Sequence, residues 1–185
     1  MFNSPVIVIG PPRSGTTMTA QVLQEWYGIL MDGSPMKKHP IINPYGWYED
    51  FRLVTANMLF FEGSIPLHAW TRRFKRFIRA MKKTGMPWGF KDPRIIPLLG
   101  YALSFFDKPI IIRCYRPKDF VVDSYIKKLG WESEYASIRY DRDENLLDKY
   151  LKNYTHFRFN FYEHISEMEI INYLDNMEFV KYADS

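Results

Sequence analysis

A loop near the start of the chain combines glycine, hydroxyl and basic residues in the manner of an anion site. Residues 10–17 read Gly-Pro-Pro-Arg-Ser-Gly-Thr-Thr and directly follow the apolar residues 5–9. Apolar residues recur at helical spacing from Thr16 onward, so the loop is predicted to join a buried strand to a helix. Backbone N–H groups in such a loop, with the positive end of the helix dipole behind them, bind phosphate or sulfate.

This loop departs from the common nucleotide-binding pattern at one position. The pattern G-x-x-x-x-G-K-[ST] has a lysine after its second glycine, where this chain has Thr16. Because that lysine normally contacts the β- and γ-phosphates of a nucleotide, its absence disfavours an ordinary ATP or GTP hydrolase. The basic residue lies inside the loop instead, at Arg13.

A second candidate anion site follows the apolar residues 109–114. Arg116 lies at the end of this predicted strand, Pro117 suits the first turn of a helix, and Ser124 lies further along that helix. An arginine at a strand end and a hydroxyl in the next helix can contact one phosphate together. The chain therefore offers two anion sites, each at the end of a strand.

Two further segments carry charged residues that suit group transfer. Residues 89–94 read Gly-Phe-Lys-Asp-Pro-Arg, in which Lys91 follows a predicted strand and Asp92 can cap the next helix. Residues 46–50 read Gly-Trp-Tyr-Glu-Asp, so Glu49 lies among aromatic residues near a predicted helix start. Glu49 is a candidate general base, although an acidic residue also stabilises a helix N-terminus by its charge alone.

Together these segments resemble the sulfotransferases that use 3′-phosphoadenosine 5′-phosphosulfate (PAPS) and release the bisphosphate PAP. Residues 12–17 are similar to the family's 5′-phosphosulfate loop, and Arg116 with Ser124 is similar to its 3′-phosphate site. The segments around Lys91 and Glu49 resemble those of tyrosylprotein and bacterial carbohydrate-type sulfotransferases. The similarity extends from about residue 5 to residue 129, and more loosely to the end of the chain.

The resemblance implies transfer of a sulfuryl group from PAPS to a hydroxyl or amine acceptor, in line and without a metal. Arg13 and Lys91 would stabilise the transferring group and Glu49 would accept the proton, with His39 or His68 as alternative bases. The implied cofactor-binding residues are Pro12, Arg13, Ser14, Gly15, Thr16, Thr17, Arg116 and Ser124. A late basic loop that many members close over the cofactor is missing, since only Arg158 and Lys181 are basic after residue 154.

Two other functions remain open at this stage. One is a P-loop kinase for a nucleotide or small molecule, with an altered phosphate loop. The other is a non-catalytic nucleotide-binding module that uses a basic helix to bind an anionic partner. Residues 71–83 contain seven basic side chains and no acidic one. They would form either a landing face for an anionic acceptor or an ordinary solvated helix surface.

The elements that must position these residues alternate along the chain. Strands are predicted at 5–9, 28–33, 88–91, 109–114 and 156–162, with helices at 16–28, 48–61, 70–83, 94–105, 117–129, 144–153 and 166–174. This alternation predicts an α/β fold: a single three-layer P-loop-type domain over residues 1–185, with about five parallel strands flanked by helices. Residues 32–88 would form an acceptor-side insertion. The polar residues 131–143, including a charged cluster at 139–144, are predicted to be irregular and solvated.

Composition limits the class of protein, its cellular compartment and its partners. The 185 residues include 46% apolar and 25% charged side chains, as in ordinary folded proteins, and carry a net charge of +4. The single cysteine, Cys114, excludes an internal disulfide and favours a reducing, cytoplasmic compartment. We expect a small-molecule, sugar or peptide acceptor, with an anionic one favoured by the charge, and no nucleic acid or membrane span.

Overall fold

A parallel sheet of four strands, in the order β2-β1-β3-β4, forms the centre of the computed structural model, which describes residues 4–36, 46–162 and 166–176. The strands are β1 (Val6–Ile9), β2 (Gly89–Lys91), β3 (Ile110–Tyr115) and β4 (His156–Asn160). β1 is entirely aliphatic and buried, as expected for a parallel strand covered on both faces.

Helices connect the strands and cover both faces of the sheet. They are α1 (Thr16–Tyr27), α2 (Phe51–Phe61), α3 (Leu67–Lys82), α4 (Leu99–Leu103), α5 (Lys118–Leu129), α6 (Ser133–Leu151) and α7 (Glu167–Asn176). A 3₁₀-helix (Pro93–Leu98) precedes α4. The predicted α/β class, with a parallel sheet between helices, is confirmed.

The side chains of β1 alternate between two cores, because successive residues of a strand point to opposite faces. Val6 and Val8 pack with residues of α1 and α7, whereas Ile7 and Ile9 pack with residues of α2, α3 and α6. Residues 51–82 therefore supply a helical layer that shares its core directly with the sheet. The carboxyl ends of β1, β2 and β3 lie at the same edge of this parallel sheet.

Helix α3 confirms the predicted basic amphipathic helix. It buries Trp70, Phe74, Phe77 and Met81 in the core of the protein. Its opposite face and the following turn expose seven basic side chains: Arg72, Arg73, Lys75, Arg76, Arg79, Lys82 and Lys83. The prediction of this element from periodicity was accurate because burial here follows the 3.6-residue repeat closely.

The predicted strand at 28–33 is wrong. Only Leu30 pairs with a neighbouring strand, as a single bridge to Trp88. Gly28 has φ +66° and caps α1, and the N–H of Met31 donates to the side-chain oxygen of Gln24 at 2.8 Å. The backbone is thus engaged with α1, so the segment cannot extend along the sheet edge.

The prediction of irregular, solvated structure for residues 131–143 is also wrong, since α6 begins at Ser133. The carboxylate of Asp143 is fully buried and accepts hydrogen bonds from Arg139 at 2.8 Å and Arg142 at 2.9 Å. Ala136 and Tyr140 pack against α5. Paired charges at Asp143, together with the apolar side chains of Ala136 and Tyr140, stabilise this half of the helix. No helix within the described ranges is both long and apolar enough to cross a membrane.

Candidate active site

The loop after β1 has a constrained backbone. Gly15 adopts φ +93°, and a Cβ at this position would lie 2.5 Å from the ring of Phe161. Gly10 is equally crowded, because its Cβ would lie 2.3 Å from the carbonyl oxygen of Cys114. Arg13 is left-handed without being a glycine, with φ +71°. Such a conformation costs about 1–3 kcal/mol and is concentrated at ligand sites.

The two predicted anion sites meet at this loop. Nε of Arg13 donates to Oγ of Ser124 at 3.0 Å, and Arg116 donates to the backbone carbonyl of Arg13 at 3.4 Å. The strand ends after β1 and β3 therefore bring together side chains that lie far apart in the sequence. Burial, and to a lesser extent the nearby charge of Arg116, lower the pKa of Arg13.

Neither of these two arginines has a carboxylate partner within the described residues. By contrast, the partly buried guanidinium groups of Arg94, Arg113 and Arg139 each pair with one or two carboxylates. Nε of Arg116 and the hydroxyl of Ser14 are buried, and no described residue hydrogen-bonds them. Two neighbouring cations with unused donors form a site that an anion would neutralise and satisfy.

A cavity of about 240 Å³ lies at this place. It is lined by Arg13, Gly15, Thr16, Thr17, Met18, Gln21 and Arg116. Most small-molecule pockets have volumes of roughly 300–1,000 Å³, so this cavity suits the anionic groups of a ligand rather than a whole nucleotide. Pro12, Ser14 and Ser124, which the sequence also assigns to this site, do not line the cavity, although Ser124 contacts Arg13.

Lys91 and Glu49 form a second part of the site beside the same loop. Nζ of Lys91 donates to Oγ1 of Thr17 at 3.0 Å and to Oε1 of Glu49 at 2.6 Å. The other carboxylate oxygen of Glu49 accepts from Arg94. The side chains of Lys91 and Glu49 are only 2% and 4% exposed. Among the sequence candidates, Glu49, Lys91 and the end of the loop are thus in direct contact.

A buried polar chain that the sequence did not reveal supports this arrangement. Asp92 accepts from Nδ2 of Asn57 at 2.8 Å and from the N–H of Arg94 at 3.0 Å. Asn57 in turn accepts from the indole N–H of Trp70 at 2.8 Å. Burial raises the pKa of Asp92. Arg94 lies in the same short segment as Lys91, so its part in the site could have been predicted from the sequence. Nothing in the sequence pointed to Asn57.

The structure describes one of the two histidine alternatives. His68 is exposed on α3, and His39 lies outside the described residues. Cys114 is buried next to Thr19, and burial raises the pKa of its thiol to about 12. No group of three or more His, Cys, Asp or Glu side chains suitable for a metal ion occurs within the described ranges.

Comparisons with known proteins support a fold and no specific function. No protein-family model and no curated protein matches the chain. An uncharacterized protein from Eubacterium ventriosum matches with TM-score 0.53 and 14% identity, covering 98% of this chain and 99% of its own. TT1252 from Thermus thermophilus matches with TM-score 0.54 and 14% identity, covering 95% and 97%.

A sugar kinase from Janibacter sp. HTCC2649 matches less well, with TM-score 0.45 and 14% identity over 97% of each chain. Its likeness is too weak to bear on function. The two better matches, at 14% identity, show the fold alone. The chain is an α/β protein with a strand–loop–helix unit formed by β1 and α1 and a parallel sheet.

Proposed function

We propose that the protein is a PAPS-dependent sulfotransferase. One observation carries this proposal: Arg13 and Arg116 lie together beside Ser124, with no carboxylate from the described residues to neutralise them. An ATP-binding P-loop needs one cationic anchor for its phosphate chain, whereas PAPS carries anionic groups on both sides of its ribose. Two anion-binding strand ends that meet at one loop suit the second ligand better.

In this proposal the N–H groups and hydroxyls of residues 13–17 hold the 5′-phosphosulfate. Arg116 and Ser124 hold the 3′-phosphate, and the unused Nε of Arg116 is a donor for it. The guanidinium of Arg13 lies between the two groups, since it contacts Ser124 by its side chain and belongs to the loop by its backbone. Charge-assisted hydrogen bonds of this kind are about twice as strong as neutral ones.

The transfer step follows from the contacts of Lys91. The acceptor oxygen or nitrogen attacks sulfur while the bond from sulfur to the 5′-phosphate oxygen breaks, and PAP leaves with the electron pair. Lys91 and Arg13 stabilise the charge that develops on the transferring and leaving oxygens. Glu49 takes the acceptor's proton, for which it must release one of its two cations. Arg94 is the partner that can move, because its side chain is 35% exposed and that of Lys91 only 2%.

A P-loop kinase is the second candidate, and the position of Lys91 favours it. Its ammonium lies 3.0 Å from Oγ1 of Thr17. A lysine from β2 therefore lies beside the loop, although the loop itself has Thr16 where the common nucleotide-binding pattern has lysine. A phosphoryl group in the loop would be within its reach. ATP with magnesium is therefore the essential competitor in any binding experiment.

Thermal melting with PAP, ATP with magnesium, and AMP decides between these functions. A ligand at about 100 times its dissociation constant adds about 2.7 kcal/mol to the free energy of unfolding. We expect PAP alone to raise the melting temperature, and Arg116→Gln to reduce the shift by about half or more. Arg72→Gln, on the exposed face of α3, serves as the matched control and leaves it intact. Stabilisation by ATP with magnesium alone would favour the kinase, and no stabilisation by any of the three would contradict both.

A further inference from the structure

A second cavity, of about 420 Å³, lies beside Arg94. Its lining comes from α2, the 3₁₀-helix and α6, and the residue that follows α2: Met58, Phe61, Glu62, Arg94, Pro97, Arg139 and Arg142. This volume falls within the range of roughly 300–1,000 Å³ typical of small-molecule sites. The anion site described above is a separate cavity with a different lining.

One wall of this cavity is apolar. Met58 and Phe61 lie three residues apart on α2 and are each 46% exposed. Pro97 extends the same wall. Exposed large apolar side chains that converge on a concave surface mark a place where a ligand removes apolar area from water.

The part of the lining that α6 supplies is cationic. Arg139 and Arg142 share a single carboxylate, that of the fully buried Asp143. One carboxylate neutralises only one guanidinium, so this part of the lining retains a positive charge. The side chain of Arg142 is 49% exposed, which leaves it free to reach a ligand. Glu62, exposed at the end of α2, is the one acidic residue of the lining.

Arg94 connects this cavity to the residues proposed for transfer. Its guanidinium contacts Glu49, and Glu49 contacts Lys91 at 2.6 Å beside Thr17. A comparable cavity of about 390 Å³ between α2 and α3 has no such connection. Its Arg52 pairs with Asp50 instead, at 2.8 Å through Nε. Proximity to the proposed base therefore distinguishes the cavity at Arg94.

We propose that the cavity at Arg94 is the acceptor site, and that the acceptor is a small amphiphile. It would combine an aromatic or aliphatic body for Met58 and Phe61 with a carboxylate, phosphate or sulfate for Arg142 and Arg139. Its hydroxyl or amine would point past Arg94 toward Glu49. The assignment as an acceptor site rests on the proposed function, while the binding of an anionic amphiphile does not.

Fluorescence titration with 6-hydroxy-2-naphthoate and 6-hydroxy-2-naphthamide tests this proposal. The two probes share shape and hydroxyl group and differ in charge. We expect the naphthoate to bind about tenfold more tightly, as one charge-assisted hydrogen bond to a half-exposed guanidinium provides. Arg142→Gln should remove this preference, since Arg139 still neutralises Asp143, and Arg72→Gln should preserve it. Phe61→Ser should weaken both probes equally.

Three results would overturn the proposal: equal binding of both probes, no binding of either, or a charge preference that survives Arg142→Gln. Melting with PAP, carried out on the same variants, separates the two proposals, because neither Arg142→Gln nor Phe61→Ser should alter the PAP shift. A charge-dependent naphthoate site without PAP stabilisation would refute the sulfotransferase and leave the amphiphile site standing. PAP stabilisation without naphthoate binding would do the reverse.

Discussion

Nζ of Lys91 lies 2.6 Å from Oε1 of Glu49, and neither side chain is more than 4% exposed. Lys91 ends β2, whereas Glu49 directly precedes the cap residue of α2. The ion pair thus links the end of β2 to the start of α2, beside the loop at residues 10–17. An ion pair in this setting is costly to break, because the remaining charge stays buried without its partner.

Glu49→Gln should abolish sulfuryl transfer and preserve PAP binding. Glutamine retains the shape of the side chain and can accept from Lys91, but it cannot take the acceptor's proton. Transfer from PAPS to an acceptor such as the hydroxynaphthoate is the activity readout, and the PAP melting shift is the control. Retention of transfer by this variant would remove Glu49 from the proposed mechanism.

The ion pair also predicts a coupling in stability between its two residues. Glu49→Gln should cost about 3–5 kcal/mol of unfolding free energy, because it leaves the ammonium of Lys91 buried without a carboxylate, whereas Lys91→Met should cost less because Glu49 keeps Arg94 as a partner. The double variant should cost clearly less than the sum of the two. Urea unfolding of all four proteins measures this difference. Strict additivity would show that the two groups do not interact in solution.

Arg116→Gln should weaken PAP and leave the unliganded protein at least as stable as before. A hydrogen bond to a charged group contributes about 1.5–3 kcal/mol, so PAP binding should fall by about 10–150-fold. Stability should not fall, because the substitution relieves repulsion between Arg13 and Arg116, which is one cause of the lowered pKa of Arg13. Calorimetric titration and melting check the two halves. Unchanged PAP affinity would place the 3′-phosphate elsewhere.

Two glycines with similar backbones should respond differently to alanine. Gly15 and Gly28 have φ +93° and +66°, but only Gly15 faces a neighbour, the ring of Phe161 at 2.5 Å from the added Cβ. Gly28→Ala should cost about 1–2 kcal/mol from backbone strain. Gly15→Ala should cost about 2–5 kcal/mol, since displacement of the ring adds to that strain. Equal losses of unfolding free energy would indicate that Phe161 does not cover the loop.

Cys114 should be inert in the native protein. Because burial raises the pKa of its thiol to about 12, only about one thiol in ten thousand is ionised at pH 8. Titration with a thiol-exchange reagent should detect no fast-reacting group at pH 8 and one after unfolding in guanidinium. The rate should rise about tenfold per pH unit, as it does for any thiol well below its pKa. Rapid native labelling would contradict burial of this residue.

Sequence reasoning succeeded where local signals and fold agree. The run at β1, the glycines that follow and the helical spacing after Thr16 all predict the strand, loop and helix that the structure contains. The segment 109–129 gave β3 and α5 in the same way. In a parallel sheet the ends of neighbouring strands meet at one edge, so the proximity of Arg13 and Arg116 followed from the topology.

Sequence reasoning failed where ion pairs between distant residues determine which side chains are buried. Arg113 lies in the correctly predicted β3, but the sequence did not reveal that Glu144 and Asp148 of α6 neutralise it and leave its side chain only 6% exposed. The same kind of pairing buries Asp143. Ala136 and Tyr140 continue the helical spacing of Leu147 and Leu151, but the charged residues around them made the first half of α6 resemble a solvated loop. The sequence also gave no indication of the cavity at Arg94, because residues from three separate segments line it.

The central position of β1 has a consequence for synthesis on the ribosome. Val6 pairs with Gly89 on one side and Ile110 on the other, so β1 has no neighbouring strand until β2 and β3 have been synthesised. Until then the nascent polypeptide exposes an aliphatic segment of high β-propensity with both edges open. The sheet around β1 is therefore completed only after β3 has emerged, and until then an open edge of β1 can pair with another chain.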